Sequence, residues 1–432
     1  MQNIESLRLE IEARLPQALD LLRQMVGINS WTRNPEGIQR LADLTRKAFA
    51  PLGFRAESVP SPEPLYGSHL FLTRDGTDGP TLGLVSHLDT VFSPEEEHRN
   101  GFQWMPEGDR IYGPGTEDIK GGTVMIWLVL SALQAVSPDR FSRTRWVIAL
   151  NAAEEELSPD FGGHCLDRLG PEALAALVFE AEGRRGEFLG LVRARKGRGT
   201  FALQAIGRSS HAGVDHPRGA NAITQLARSV LQAESLTRHA EGLTVNVGRI
   251  RGGEGLNRVP QEAVAEGEFR ALDTRTYAEA RRRLLELGGP GEVASVADGF
   301  RTEVTLEITS ETPPWPVNPP TESLLRLWVE AGTTLGLAVE GEIRGGLSDG
   351  NHLWEGVPTL DGLGPSGGNA HCSERNSAGT KLPEYVLPGS FPPKALLNAV
   401  AIGRLLDSRR NGGIGAGATR PTPPLPARVP DA

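Results

Sequence analysis

The chain has 432 residues, of which 38% are hydrophobic and 23% charged, a composition typical of a globular protein with two or three domains. Its formal net charge of −9 and the lack of any basic run argue against nucleic acid as a partner. Two cysteines cannot form a disulfide framework, and we find neither a secretory signal nor an apolar run of about 20 residues, so we expect a cytoplasmic protein that does not enter a membrane.

The first part of the chain alternates helical and strand-like patterns. Apolar periodicity predicts, in chain order, a helix over residues 4–25, a helix over 40–49, strands over 70–73 and 81–86, a helix over 122–135, and strands over 146–150 and 177–179. Strand, helix and strand in this order are typical of right-handed crossover connections. The pattern therefore predicts an α/β domain with a mostly parallel sheet.

The pattern changes at residue 197. The predicted elements are then a strand over residues 200–206, a helix over 220–236, strands over 243–250 and 263–272, and a helix over 278–287. With a last strand before the proline-rich segment 312–316, this order predicts a ferredoxin-like α+β domain inserted into the first, with a hinge at the two connections. We thus divide the chain into residues 1–196, the first part of the α/β domain; 197–311, the inserted domain; 312–410, the second part of the α/β domain; and 411–432, a disordered tail rich in Gly, Pro, Ala and Arg.

The most informative motif is His-Leu-Asp-Thr-Val at residues 87–91, directly after the predicted strand 81–86. His87 and Asp89 are two residues apart, so they project from the same face of an extended chain. They lie at the carboxyl end of the strand, where open α/β sheets place their ligand sites. An imidazole and a carboxylate at this point favour a metal such as zinc, although an ordinary hydrogen-bonded pair has the same pattern.

Two acidic motifs follow along the chain. A glycine-rich turn at residues 113–122 carries Asp118 and lacks the Gly-Lys-Ser/Thr ending of a phosphate-binding loop; its aspartate could also simply cap the next helix. Three consecutive glutamates at residues 154–156 follow a predicted buried strand, where their mutual repulsion requires a neutralising partner.

Three more motifs complete the series. Phe-Glu at residues 179–180 places another acid at a strand end. Ser-His-Ala-Gly at residues 210–213 carries His211, and Asn-Ala-His at residues 369–371 carries His371. A single histidine of this kind is more often structural than functional. These motifs therefore indicate a functional site only when all six are considered together.

In this order the six motifs resemble the zinc-dependent family of carboxypeptidase G, acetylornithine deacetylase, succinyl-diaminopimelate desuccinylase and the aminoacylases. The resemblance covers residues 10–408 and is closest to the carboxypeptidase G branch. It implies a metallopeptidase-like hydrolase with two Zn²⁺ per chain, with Co²⁺ or Mn²⁺ as acceptable substitutes. It also implies that the inserted domain is both a lid and the dimerisation domain of a homodimer.

The resemblance implies the metal ligands residue by residue: His87, Asp118, Glu155, Glu180 and His371. Asp118 would bridge the two ions and precede a cis peptide bond, Asp89 would orient the imidazole of His87, and Glu154 would be the general base. Ala153 stands where the family has an aspartate, which leaves the support of the base open. A shift of one residue, with Glu155 as the base and Glu156 as the ligand, also stays open, and Glu182 is a lesser rival to Glu180.

The remaining implied roles concern the substrate. His211 would donate a hydrogen bond to the reaction's oxyanion from the partner subunit, while Asn257, Arg270 and Gly346 resemble positions that bind the substrate. We therefore expect cleavage of an amide bond next to a free carboxylate, with release of a C-terminal amino acid such as glutamate. The alternatives are a deacylase of N-acyl amino acids in a biosynthetic pathway and, from another class, a metal-free ligand-binding relative.

Overall fold

The computed structural model describes residues 4–185 and 188–408, so the predicted disordered tail lies outside the described residues. The helices are α1 Ile4–Val26, α2 Pro35–Phe49, α3 Pro94–Asn100, α4 Lys120–Val136, α5 Pro138–Arg143, α6 Phe161–Leu169, α7 Ala222–Glu234, α8 Thr274–Leu285, α9 Pro319–Leu335, α10 Gly350–Leu353 and α11 Phe391–Ser408. The strands are β1 Arg55–Pro60, β2 Ser68–Arg74, β3 Thr81–His87, β4 Met105–Glu107, β5 Arg110–Tyr112, β6 Arg145–Asn151, β7 Ala175–Val178, β8 Gly183–Arg185, β9 Phe188–Arg195, β10 Gly197–Ile206, β11 Thr244–Gly252, β12 Glu262–Ala271, β13 Gly289–Ala294, β14 Arg301–Thr312, β15 Val339–Arg344, β16 Thr359–Leu360, β17 Gly367–Gly368 and β18 Tyr385–Val386.

The central sheet has six strands in the order β1-β2-β6-β3-β7-β16. The four strands β6, β3, β7 and β16 run parallel, and β2 and β1 continue the sheet antiparallel at one edge. The middle strands are buried along nearly their whole length, as parallel strands between two helical layers are. Helices α1, α4 and α11 pack together on one face, and α6 and α10 cover the other, which confirms the predicted mostly parallel α/β fold.

The parallel arrangement determines where the predicted motifs meet. His87 ends β3 and is paired in register with Asn151, the last residue of β6, while Val85 is paired with Val178 at the end of β7. The three carboxyl ends therefore lie side by side at one edge of the sheet. The segments that follow them carry the 154–156 glutamates and Glu180.

The second sheet has five antiparallel strands in the order β11-β12-β10-β14-β13. Helices α7 and α8 pack against it around a separate core that includes Phe201, Leu226 and Phe269. Without β13, the order of strands and helices is that of a ferredoxin-like fold, as predicted, and β14 is the expected last strand. Strand β13 is an addition at the edge that the sequence pattern did not predict.

The two chain segments that join the sheets lie next to each other. The backbone N–H of Arg195 donates to the carbonyl of Trp315 at 2.8 Å, and the N–H of Trp315 donates back at 3.0 Å. A smaller antiparallel sheet, β17-β18-β5-β4, lies beside the Asp118 turn. Among the described residues, no helix combines the length and the apolar character that crossing a bilayer requires.

A buried polar contact between α9 and α11 generates a prediction on stability. The side chain of Asn398 is 0% exposed; it accepts from Trp328 Nε1 at 3.0 Å and donates to the carbonyl of Leu363 at 2.8 Å. We expect Asn398→Ala to lower the free energy of unfolding by about 1–3 kcal/mol, because it leaves two buried polar groups without a partner. Urea-induced unfolding measures this change.

The control is Ser323→Ala on the solvent side of α9, where the hydroxyl donates to the carbonyl of Pro319 and accepts from the side chain of Arg326, both in the same helix. We expect this change to stay within about 0.5 kcal/mol of the wild type. Equal urea midpoints for Asn398→Ala and the wild type would show that the contact contributes nothing.

Candidate active site

The first group of potential metal ligands lies at the end of β3. Nε2 of His87 is 3.0 Å from Oδ1 of Asp118 and 3.7 Å from Oε1 of Glu180. One ligand atom from each of these three residues lies within 4.8 Å of the others, which suits a single cation. The other ring nitrogen of His87, Nδ1, is 3.0 Å from the backbone carbonyl of Asp89. An N–H at Nδ1 directed to that carbonyl leaves Nε2 free to bind a metal.

The second group shares Asp118 with the first. Nε2 of His371 lies 3.2 Å from Oδ2 of Asp118 and 3.1 Å from Oε2 of Glu155. These three residues also place one ligand atom each within 4.8 Å of the others. The two oxygens of one carboxylate thus face two different histidines. The structure brings together all five residues that the family resemblance implies as ligands, although they are separated by up to 284 positions (371 − 87) in the chain.

The turn that carries Asp118 is built around close backbone approaches. Gly115 has φ of 75°, and a Cβ there would lie 2.9 Å from the methyl group of Thr90. The peptide bond between Asp118 and Ile119 is cis, as expected from the resemblance, and α4 begins directly after it. His371 has φ of 63°, a region that non-glycine residues rarely adopt and that surrounding contacts must hold.

Asp89 connects the two halves of the site through its buried carboxylate, which is 1% exposed. Oδ1 accepts from the backbone N–H of Glu154 and Oδ2 from that of Glu155, both at 3.1 Å. The hydroxyl of Thr32 donates to Oδ2 at 2.8 Å. Asp89 therefore fixes the loop that carries the glutamates as well as lying against the imidazole of His87, 3.4 Å from Nδ1.

The loop has a second support where Ala153 replaces the acid of the resembled family. The buried side chain of Asn151 accepts from the N–H of Ala153 at 3.0 Å and donates to Asp349 at 2.8 Å. The backbone before the glutamates is thus held by an amide instead of a carboxylate. The support that the sequence left open comes from Asn151 and Asp89 together.

The geometry distinguishes the alternatives among the acids. Glu155 lies in the second ligand group, whereas Glu156 is exposed and forms an ion pair with Arg33 at 3.1 Å. This favours Glu154 as the base and Glu155 as the ligand over the pairing shifted by one residue. Glu180 lies beside His87, while Glu182 is buried in a separate ion pair with Lys394 at 3.0 Å.

The burial of several acids close together shifts the pKa values of the ionisable groups in the site. Burial raises the pKa of Glu155 to about 7, and the charge of Asp118 adds to this rise. Burial likewise raises the pKa values of Glu154 and Glu180 well above their usual range. Hydrogen bonds to Asp118 and Glu155 raise the pKa of His371 to about 11. The site therefore favours positive charge among its acids, which is the condition for binding a divalent cation.

A cleft of 380 Å³ lies above these groups. Its walls include Glu154, Gly346 and four arginines, namely Arg195, Arg198, Arg270 and Arg344. Arg270 donates from Nε to Glu268 at 2.8 Å and from Nη1 to the carbonyl of Gly345 at 2.9 Å. Arg198 donates to the same Glu268 at 2.8 Å, so one carboxylate holds two guanidinium groups against the cleft. The cleft thus has an acidic floor and a basic wall.

Two predicted site residues lie elsewhere. Among the described residues that line the cleft, neither His211 nor Asn257 is present. They lie together in the inserted domain, where the N–H of Ala212 donates to the carbonyl of Asn257 at 2.9 Å, and His211 is exposed. The structure therefore does not bring them to the potential metal ligands of the same chain.

Sequence reasoning missed Arg195, Arg198 and Arg344 in the wall of the cleft. Arg195 is buried and forms an ion pair with Asp361 at 2.8 Å, while its Nη1 donates to the carbonyls of Gly346 and Leu347. Arg195 and Arg198 flank the point where the chain enters the inserted domain, and nothing in the sequence distinguishes them from other arginines. Only the fold reveals that they face the acids.

Comparison with known proteins shows that the chain is similar to peptidases and to a deacetylase. Residues 193–287 match the family described as the peptidase dimerisation domain. The chain is 26% identical over 391 residues to carboxypeptidase G2 from Pseudomonas sp. (strain RS-16), covering 89% of this chain and 88% of the relative. It is 27% identical over 265 residues to acetylornithine deacetylase from Pectobacterium carotovorum subsp. carotovorum (strain PC1), covering 58% of this chain and 66% of the relative. The fold is similar to that of a tripeptidase from Staphylococcus aureus, with a TM-score of 0.71, 22% identity, and coverage of 91% of this chain and 99% of the other.

The contacts of Asp89 generate a prediction on metal binding. We expect Asp89→Ala to weaken the affinity for a divalent cation such as Zn²⁺ about 10- to 100-fold, because the N–H groups of Glu154 and Glu155 lose their acceptor and the loop that carries the potential ligand Glu155 loosens. Isothermal titration calorimetry on the metal-depleted protein measures the affinity. Thr32→Val is the matched control, since it removes only one of the three hydrogen bonds to Asp89, and its loss should be smaller. Wild-type affinity in Asp89→Ala would contradict the role of this carboxylate.

Proposed function

We propose that this chain, which belongs to the metallohydrolase family of carboxypeptidase G and acetylornithine deacetylase, cleaves an amide bond next to a free carboxylate. The chain is a metal-dependent hydrolase. The observation that carries the proposal is the pair of ligand groups sharing Asp118 beneath a cleft with a wall of arginines.

The residues fit two divalent ions. One ion would be held by His87, Asp118 and Glu180, and the other by Asp118, Glu155 and His371. Imidazole and carboxylate are ligands that Zn²⁺ accepts, and Co²⁺ and Mn²⁺ accept the same set. Oε1 of Glu155 is buried without a hydrogen-bond partner, which suits a carboxylate whose partner is a cation. We therefore propose two Zn²⁺ per chain.

The bound ions would supply Lewis acidity, which lowers the pKa of water and polarises the scissile carbonyl. Glu154 is the proposed general base: it lines the cleft, lies in neither ligand group, and has a pKa raised by burial. It would accept a proton from the attacking water and pass it to the leaving nitrogen. Because burial raises the pKa of Glu154 well above the usual range, its carboxylate holds a proton more strongly than an exposed one, which suits a group that accepts a proton and then returns it.

The basic wall is the proposed site for the free carboxylate of the substrate. Arg270 is already oriented by Glu268, which accepts from Nε and Nη2, and by the carbonyl of Gly345, which accepts from Nη1; the remaining N–H groups of Nη1 and Nη2 would bind the substrate carboxylate. Gly346 lies in the neighbouring loop, which offers backbone groups to the same ligand. With Arg198 beside Arg270, the wall favours an acidic C-terminal residue such as glutamate, the carboxypeptidase-like form of the activity.

We propose that His211 and Asn257 act on the cleft of a partner subunit. In their own chain they lie outside the cleft, and the inserted domain that carries them matches a dimerisation family. Strand β11 is an edge strand, and Ile250 on it is 58% exposed, while Leu231 on the neighbouring α7 is 71% exposed. Pairing of two copies along this edge would cover these apolar side chains and form the homodimer.

A deacylase of N-acyl amino acids is the second candidate, since such a substrate presents the same carboxylate next to the amide bond and acetylornithine deacetylase is among the relatives. The metal-free binding protein is the least favoured reading, because all five ligand positions and the base position carry suitable residues. A cytoplasmic location stays a prediction from the sequence.

The first test is hydrolysis of a panel of dipeptides and N-acyl amino acids, with and without a chelator. We expect activity that is lost on chelation and returns with Zn²⁺ or Co²⁺, because the water and the carbonyl are activated only in the presence of metal. Matched substrates with a C-terminal methyl ester are the control, and they should be cut far more slowly if the arginine wall binds the carboxylate. Activity that resists complete metal removal would refute the proposal, and the preferred substrate chooses between carboxypeptidase and deacylase.

A second prediction separates the base from the ligands. Glu154→Gln should lower kcat about 10²- to 10⁴-fold while both ions still bind, because the amide cannot accept the proton. Steady-state kinetics and metal analysis of the same sample measure the two properties. Glu156→Gln is the control, since Glu156 is exposed and should leave both properties close to the wild type. The opposite result, an active Glu154→Gln and an inactive variant at Glu155 that keeps both metals, would favour the shifted pairing.

A further inference from the structure

We propose that Glu384, which is not a metal ligand, is a positioning residue of the metal centre that fixes both Asp118 and the loop of His371. The inference rests on the proposed metal centre and adds a residue that the sequence motifs do not include. The side chain of Glu384 is 0% exposed, and Glu384 is the last residue of the segment 369–384 that joins β17 to β18 and carries His371.

The carboxylate of Glu384 holds the turn of the bridging aspartate. Its Oε1 accepts from the backbone N–H of Glu117 at 2.9 Å and from that of Asp118 at 3.2 Å. Because the acceptor binds the N–H of Asp118 itself, it fixes the peptide plane from which the side chain extends. The oxygens of Asp118 must face His87 on one side and His371 on the other, so a rotation of this plane would disturb both ligand groups.

The backbone of Glu384 holds the loop of the second histidine. Its N–H donates to the carbonyl of Cys372, the residue after His371, at 2.7 Å. Its carbonyl accepts from the N–H of Gly113, at the start of the Asp118 turn, at 3.2 Å. Glu384 thus connects the two segments directly. Its hydrogen bond to Cys372, next to His371, helps to hold His371 in its left-handed backbone conformation.

The same device occurs twice around the site. Asp89 accepts the consecutive N–H groups of Glu154 and Glu155, and Glu384 accepts those of Glu117 and Asp118. In both cases a buried carboxylate outside the ligand groups binds two successive backbone N–H groups of a ligand-bearing turn. Partners of this kind around a metal site typically change its affinity 10- to 100-fold when they are removed.

The test is titration of the metal-depleted protein with Co²⁺. Calorimetry measures the affinity, and visible absorption reports the coordination of the bound ion. We expect Glu384→Ala to weaken binding of both ions about 10- to 100-fold and to alter the cobalt spectrum, since Asp118 serves both groups. Glu384→Gln keeps an acceptor oxygen at the same place and should lie closer to the wild type. Glu384→Asp withdraws the acceptor by one methylene, so its affinity for Co²⁺ should lie between those of Glu384→Gln and Glu384→Ala.

The control for a merely structural role is Asn398→Ala, which removes an equally buried side chain with two hydrogen-bond partners away from the cleft. It should lower stability and leave the affinity and spectrum of cobalt unchanged. Wild-type cobalt binding in Glu384→Ala would overturn the inference, and if that variant does not fold, wild-type binding in Glu384→Asp would overturn it. Failure of the wild type to bind cobalt would instead refute the proposed metal centre.

Discussion

The structure depends on one electrostatic constraint, the confinement of several carboxylates at the ends of neighbouring strands. Asp118, Glu154, Glu155 and Glu180 lie within one cleft, where burial is the main cause that raises the pKa values of the three glutamates and the charges of neighbouring acids add to it. Like charges at such distances are tolerated only with positive charge between them or with protons on some of the acids. Two imidazoles supply part of that charge, and the arrangement of oxygens around them is one that divalent cations complete.

The fold meets this constraint largely by fixing the backbone of the segments that carry these side chains. The five potential ligands come from five separate segments, and each group presents an oxygen or nitrogen within a few ångströms of the others in that group. Hydrogen bonds from consecutive N–H groups to buried acceptors set the orientation of whole turns, so that the ligand side chains need few contacts of their own. A site assembled in this way can leave a buried oxygen such as Glu155 Oε1 without a protein partner.

The sequence predicted the parts of this design that carry a local pattern. His87 and Glu180 follow apolar runs that read clearly as buried strands, and parallel strands bring their ends together without any further information. The arginines of the cleft and Glu384 could not be found in this way, because their roles arise from contacts between segments far apart in the chain. Helices α9 and α11 and strand β13 were missed as well, although both helices contribute to the main core.

Ala153 illustrates how the same physical requirement can be met by different residues. A missing acid before the glutamates would leave the loop unsupported if support had to come from that position. Here Asn151 at the end of β6 accepts the N–H of Ala153 and is itself held by Asp349, while Asp89 accepts the next two N–H groups. Three successive N–H groups are therefore satisfied by side chains at two strand ends. A neutral amide in this place also adds no negative charge to a cleft already crowded with acids, so their mutual repulsion is no larger than the cleft acids themselves cause.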